Sequence, residues 1–164
     1  MLVEPEIPPN TGNIARLCAA TGTPLHLVGR LGFSIDEHAV RRAGLDYWHL
    51  VQLHTHEDWP QARERLSVAP TRTWMFTGKS SRSLYDVRFA PGDALVFGKE
   101  SVGLPDELTR QVPEQCVAIP TVGAVRSLNL ANSVAIVLYE ALRQIGAFQQ
   151  VALQALPGAP NRRA

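Results

Sequence analysis

What most constrains this chain is the alternation, along almost its whole length, of short β-rich apolar runs with segments of helical periodicity. Strands separated by helices are joined by crossovers rather than hairpins, so they lie parallel in one sheet with helices on its faces. The expected strands are residues 1–4, 25–28, 50–53, 73–77, 94–97 and 116–119. A helix is expected over 11–21, where Ile14, Leu17, Cys18 and Thr21 share a face, with Asn10 as its N-cap and Gly22 as its stop. Ser34 and Glu37 have capping-box spacing ahead of a short helix that Gly44 would end. Further helices are expected over 58–66 and 105–110. The longest covers 127–145, capped by Ser127, striped by Leu130, Val134, Leu138, Leu142 and Ile145, and ended by Gly146. The fold class is thus α/β with a parallel sheet. One domain over residues 1–148 is expected, followed by a Gln-, Ala- and Pro-rich tail over 149–164 without periodicity, read as mobile.

Composition excludes some classes of protein. Every apolar run is interrupted by Arg, Glu, Gln or His before it reaches membrane-spanning length, and Glu4 and Glu6 stand where a signal peptide would be basic and apolar. The expectation is a cytoplasmic protein with no membrane partner. Cys18 and Cys116 form no C-x-x-C pair, and Cys18 falls in an apolar helical stripe as a small hydrophobe. His54-x-His56 lacks a third metal ligand, so both are read as surface histidines and no metal is expected. The net charge of +1 leaves nucleic-acid binding open.

Three segments that follow strands carry chemistry, since ligands of open α/β sheets bind at the carboxyl ends of strands. In Pro5 to Arg16, Asn10 to Asn13 open a helix close to Arg16, an arrangement suited to an anion such as phosphate. In Gly98 to Leu104, Gly98 and Gly103 permit a close turn with positive φ that holds Glu100 at its apex, able to accept hydrogen bonds from backbone or ligand. In the third, Ile119-Pro120 is followed by Arg126, Ser127, Asn129 and Asn132. Asparagine is a poor residue inside a helix unless its amide has a partner, so this pair marks a polar site.

Taken together, N-x-G-x-x-x-R at Asn10, Gly12 and Arg16, G-x-E-x-x-G-L from Gly98 to Leu104, and I-P followed by S-x-N at Ser127 and Asn129 resemble the signature motifs of the SPOUT superfamily of RNA methyltransferases. Glu4-Pro5-Glu6-Ile7-Pro8-Pro9-Asn10 and Arg41-Arg42-Ala43-Gly44-Leu45-Asp46-Tyr47 are similar to the small tRNA wobble-nucleotide 2′-O-methyltransferases, which act on cytidine or uridine of certain leucine tRNAs. The resemblance implies a C-terminal trefoil knot and S-adenosylmethionine as cofactor, held by Phe76, Thr77, Gly98, Glu100, Ile119, Ser127 and Leu128. It also implies tRNA as substrate and a homodimer in which Arg16 faces the partner's cofactor site.

Catalysis would rest on Arg16, Ser127 and Asn129. A guanidinium is a poor base, so Arg16 is read as an electrostatic clamp on phosphate and developing alkoxide. Asn10, Arg41, Arg42 and Tyr47 are the expected substrate contacts, the arginines through phosphates and Tyr47 by base stacking, with core packing the competing reading for Tyr47. Two other functions remain: the same chemistry on another RNA site, or a non-catalytic knotted RNA-binding factor. With no G-x-G-x-x-G after a strand, a Rossmann-type site is not supported.

Overall fold

The computed structural model describes residues 1–33, 47–125, 127–149 and 151. The expected helix from Ser34 to Gly44, the arginines Arg41, Arg42 and Arg126, and nearly all of the expected tail lie outside the described residues. Six strands form one sheet: β1 (Leu2–Val3), β2 (Leu25–Val28), β3 (Leu53–His56), β4 (Thr73–Phe76), β5 (Ala94–Phe97) and β6 (Cys116–Val117). Every pairing is parallel and the order is β3-β2-β1-β5-β4-β6. The described helices are α1 (Pro8–Thr21), α2 (Trp59–Leu66), α3 (Asp106–Gln111) and α4 (Leu130–Gln144).

The central strands are largely apolar because both faces of the sheet are covered, whereas the edge strand β3 reads Leu-His-Thr-His. Alternate residues divide between two cores. Leu2, Leu27, Trp74, Phe76, Phe97 and Val117 pack with Ile14, Cys18, Val134 and Val137 of α1 and α4. Val3, Val28, Met75, Val96 and Cys116 pack on the other side with Ala62 of α2 and Leu104.

Element boundaries differ from expectation most clearly at three elements: the first helix, β3 and the last helix. The first helix starts at Pro8, because proline suits the first helical positions, and Ile7 stands at the N-cap without a side-chain cap. Asn10 is therefore inside the first turn. Gly22 ends the helix in the left-handed conformation at φ 63°, as expected. Residues Trp48–Leu50 form a 3-10 turn, and β3 begins at Leu53, aligned with Leu25. The last helix begins at Leu130, and Asn129 rather than Ser127 caps it.

The chain runs outward from β1 to β3, then crosses to the opposite half, where β5 inserts beside β1. The connections after β1 and β5 thus diverge at a topological switch point, where such sheets open a crevice.

Candidate active site

Strand register brings the expected cofactor residues to one edge. Leu2 is level with Phe97, Phe97 with Phe76, and Phe76 with Val117, so these four residues form a row across β1, β5, β4 and β6. The rings of Phe76 and Phe97 stack at 4.8 Å. The next residues of the chain, Thr77, Gly98 and Ala118-Ile119, leave the sheet side by side, and the Thr77 amide donates to the Val117 carbonyl at 2.9 Å. Leu128 is half-buried and Ser127 exposed just ahead of α4.

The turn after β5 is shaped by glycine, and not as expected. Gly103 has a positive φ of 79°, while Gly98 is required by proximity: a Cβ there would lie 2.0 Å from the Gly103 carbonyl carbon. Gly103 closes the turn by donating its amide to the Lys99 carbonyl at 2.9 Å.

Glu100, at the tip, reaches the loop that opens α1. It accepts from the amides of Glu6 and Ile7 at 2.8 and 3.3 Å and from Asn10 Nδ2 at 2.8 Å. Asn10 Oδ1 in turn accepts from Asn129 Nδ2 at 3.0 Å, and Asn129 Oδ1 caps α4 by accepting from the amides of Ala131 and Asn132. A carboxylate and two amides therefore tie all three motif segments together. The orientation of each amide is set, because Asn10 must present its NH2 to the carboxylate.

The two loops are fastened further by contacts of Glu4, Glu6, Lys99 and Ser101 that the sequence did not disclose. Lys99 Nζ pairs with Glu4 at 3.0 Å, which holds its ammonium above the ordinary lysine range. Glu6 accepts from the amide and hydroxyl of Ser101 at 3.1 and 3.0 Å. These partners are more than 90 residues apart, and no local pattern announces them.

Arg16 and Tyr47 form a second group. The Tyr47 hydroxyl donates to the Gly12 carbonyl at 2.9 Å, and the Arg16 guanidinium lies over its ring at 4.6 Å. No hydrogen bond or ion pair links Arg16 to the Glu100–Asn10–Asn129 chain among the described residues. The structure therefore brings together Phe76, Thr77, Gly98 and Ile119, joins Glu100 to Asn10 and Asn129, and pairs Arg16 with Tyr47.

The groups at this end of the sheet are backbone amides and carbonyls, small side chains and the half-buried Ile119 and Leu128, while the Phe76 side chain lies in the core beneath them. Among the described residues, no atom beyond the adjoining residues lies within 4 Å of where a Cβ would project from Gly78 or Gly103. A backbone-rich surface of this kind fits a nucleoside cofactor held by main-chain hydrogen bonds. Two cavities open elsewhere: a cleft of about 890 Å³ between Glu4, Arg30, Trp59 and Glu107, and an apolar one of about 400 Å³ between α1 and α4. Volume is a weaker guide than convergent polar groups, and the site is assigned to the loops.

The surface reading holds for His54, which is exposed, and needs correction for His56. His56 is buried, its Nε2 lies 2.9 Å from His26 Nδ1, and His54 stacks on His26 at 4.6 Å. Parallel pairing of β2 with β3 builds this stack by aligning His26 with His54. No cluster of three or more metal-ligating side chains with suitable geometry occurs among the described residues.

A parallel α/β sheet whose post-strand loops interlock at a switch point defines a ligand-binding domain of the doubly wound type. Residues 1–139 match the model of the SpoU rRNA Methylase family, and the chain belongs to that family. It is 50% identical over 147 residues to a tRNA (cytidine(34)-2′-O)-methyltransferase of Burkholderia pseudomallei, covering 89% of this chain and 94% of the relative. A structure described as giving insight into the 2′-OH methylation of C/U34 on tRNA is 44% identical, with a TM-score of 0.80, covering 89% of this chain and 94% of that one. The SpoU methyltransferase AviRb of Streptomyces viridochromogenes, crystallised with AdoMet, shares the fold at a TM-score of 0.70 and 24% identity, covering 87% of this chain and 58% of AviRb.

Proposed function

We propose that this protein transfers a methyl group from S-adenosylmethionine to the ribose 2′-hydroxyl of the tRNA wobble nucleotide, a cytidine or uridine of leucine tRNAs. The observation that carries this reading is the Glu100–Asn10–Asn129 chain, which joins three loops beside the row of cofactor residues. The relatives that share almost the full chain bear names of the same activity.

S-adenosylmethionine, when bound, supplies an already activated methyl group. Phe76, Thr77, Gly98, Glu100, Ile119, Ser127 and Leu128 would hold it, with Glu100 also fixing the loop through the hydrogen bonds it accepts from Glu6, Ile7 and Asn10. Holding the ribose hydroxyl in line is the main task left to the protein, and orientation of this kind supplies much of a rate enhancement. The ribose hydroxyl would release its proton to solvent as the C–O bond forms, while Arg16 stays protonated and stabilises the developing negative charge, gripping a neighbouring phosphate. Asn10 orients the substrate from within the hydrogen-bonded chain, and Arg41 and Arg42 grip tRNA phosphates.

The functional unit is a homodimer in which Arg16 acts in the partner's site. Its separation from the Asn10 group and the exposed Ile136 and Tyr139 of α4, the latter stacked on Phe148, support that arrangement. A C-terminal trefoil knot is supported by the path of β6. Its residues bond to β4 on one side, while Ala118 exchanges hydrogen bonds with Arg82 and Leu84 of the β4–β5 connection on the other. No described helix is long and apolar enough to cross a membrane, and the protein acts in the cytoplasm on free tRNA.

The test is transfer of labelled methyl from S-adenosylmethionine to unmodified leucine tRNA, with the modified nucleotide mapped. A 2′-O-methyl group at position 34 bears the proposal out. Transfer to another nucleotide reassigns the substrate, and no transfer by folded, cofactor-binding protein removes the catalytic reading.

A further inference from the structure

The Tyr47 ring and hydroxyl both act on the turn of α1 that carries Arg16. In an α-helix the Gly12 carbonyl is the acceptor of the Arg16 amide, and the Tyr47 hydroxyl donates to that same carbonyl at 2.9 Å. The ring lies under the Arg16 guanidinium, 4.6 Å from its centroid, while its edge packs on the main core. One face of the ring is thus covered by a cation, and its polar atom is already bonded.

We infer that Tyr47 is a positioning residue for Arg16, rather than a platform for a tRNA base. The inference rests on the reading of Arg16 as the catalytic clamp. An exposed arginine on a helix samples many rotamers, and only some direct its planar fork at a phosphate or an alkoxide. A ring beneath the guanidinium favours one plane for it, because the π face attracts the cation while leaving its in-plane N–H donors turned outward. The hydroxyl anchors the ring to the backbone beneath the same side chain. Tyr47 thereby acts on the rate of the chemical step, whereas a stacking platform would act on tRNA affinity.

The experiment compares Tyr47→Phe, Tyr47→Trp, Tyr47→Leu and Tyr47→Met in the full chain. Readouts are the single-turnover rate of methyl transfer to saturating leucine tRNA, the Kd for tRNA and the Kd for S-adenosylmethionine. The aliphatic variants are expected to lower the rate about tenfold or more with both affinities within about twofold, whereas the aromatic variants stay within about threefold. Tyr47→Met serves where Tyr47→Leu fails to fold. A loss confined to the tRNA Kd would make Tyr47 a base-stacking contact and overturn the inference. A fall in Tyr47→Phe as deep as in Tyr47→Leu, or no fall in any variant, would overturn it also. Arg16→Lys measured alongside separates the two levels: full turnover there defeats the reading of Arg16 itself, whereas loss there with intact Tyr47→Leu defeats only the positioning role.

Discussion

Asn129 donates its amide to Asn10 across 119 residues of sequence, at 3.0 Å, while its own carbonyl oxygen caps α4. One side chain thus fixes the start of the last helix and the orientation of a polar group on the first. Asn10 passes the constraint on to Glu100.

This arrangement separates two roles of Asn129. Asn129→Ala removes the cap and should cost about 1 kcal/mol of stability. Asn129→Asp keeps a capping oxygen but sets a carboxylate against the oxygen of Asn10, which cannot turn without losing Glu100. The aspartate variant should melt closer to the wild type than the alanine variant, yet be as poor in methyl transfer. Wild-type turnover in Asn129→Asp would show that the amide link is dispensable.

Gly98→Ala places a methyl group 2.0 Å from the Gly103 carbonyl carbon, which is backbone and cannot swing aside. The turn must open, at a cost of roughly 1–3 kcal/mol. Calorimetric titration with S-adenosylmethionine should show affinity lost more than tenfold, a consequence of displacing the loop that Glu100 holds. Unchanged affinity would mean that the cofactor does not depend on this turn.

Arg16→Lys preserves charge but replaces the planar fork with a point donor. Methyl transfer should drop by about 10²-fold, the scale found for deleting one preorganised donor, with S-adenosylmethionine binding within about twofold. A matching fall in cofactor affinity would move Arg16 from the clamp to the cofactor site.

The histidine stack predicts a pH dependence of stability. Burial, followed by the charge of the Met1 amine and by His54 and His56, pushes the pKa of His26 down to about 4 from the ordinary 6.5. The folded state thus keeps this imidazole neutral where the unfolded chain binds a proton. Stability from this group is complete above pH 6.5, declines as the pH falls from 6.5 towards 4, and levels off below that. Denaturant midpoints measured across this window should slope for the wild type and flatten for His26→Gln. Equal slopes would assign the dependence to other groups.

The sequence disclosed what local patterns encode. The buried runs at Leu25–Val28 and Ala94–Phe97 were legible to the residue, because apolar β-formers bounded by glycine, proline or aspartate admit few alternatives. Helix α2 was legible from Asp58, whose side chain accepts from the Gln61 amide. Strand β3 was displaced because Leu53–His56 alternates leucine and threonine with histidine, and its identity comes from pairing with β2. Ser127 and Asn129 both suit an N-cap, and only the partner on α1 distinguishes them. At the site, the motif residues could be named but their bonds could not. Glu6, Lys99 and Ser101 make contacts that exist only once β1 and β5 are neighbours.

The connection between β4 and β5 has one more effect. A terminal strand ordinarily shows a row of unpaired amides and carbonyls, to which a strand of another chain can add. Here Arg82 and Leu84 take up both main-chain groups of Ala118, and the Ser80 hydroxyl takes the Cys116 carbonyl at 2.7 Å. The chain thus closes this border of its own sheet with its own backbone. An all-apolar pair such as Cys116–Val117 is thereby kept from serving as a template for aggregation.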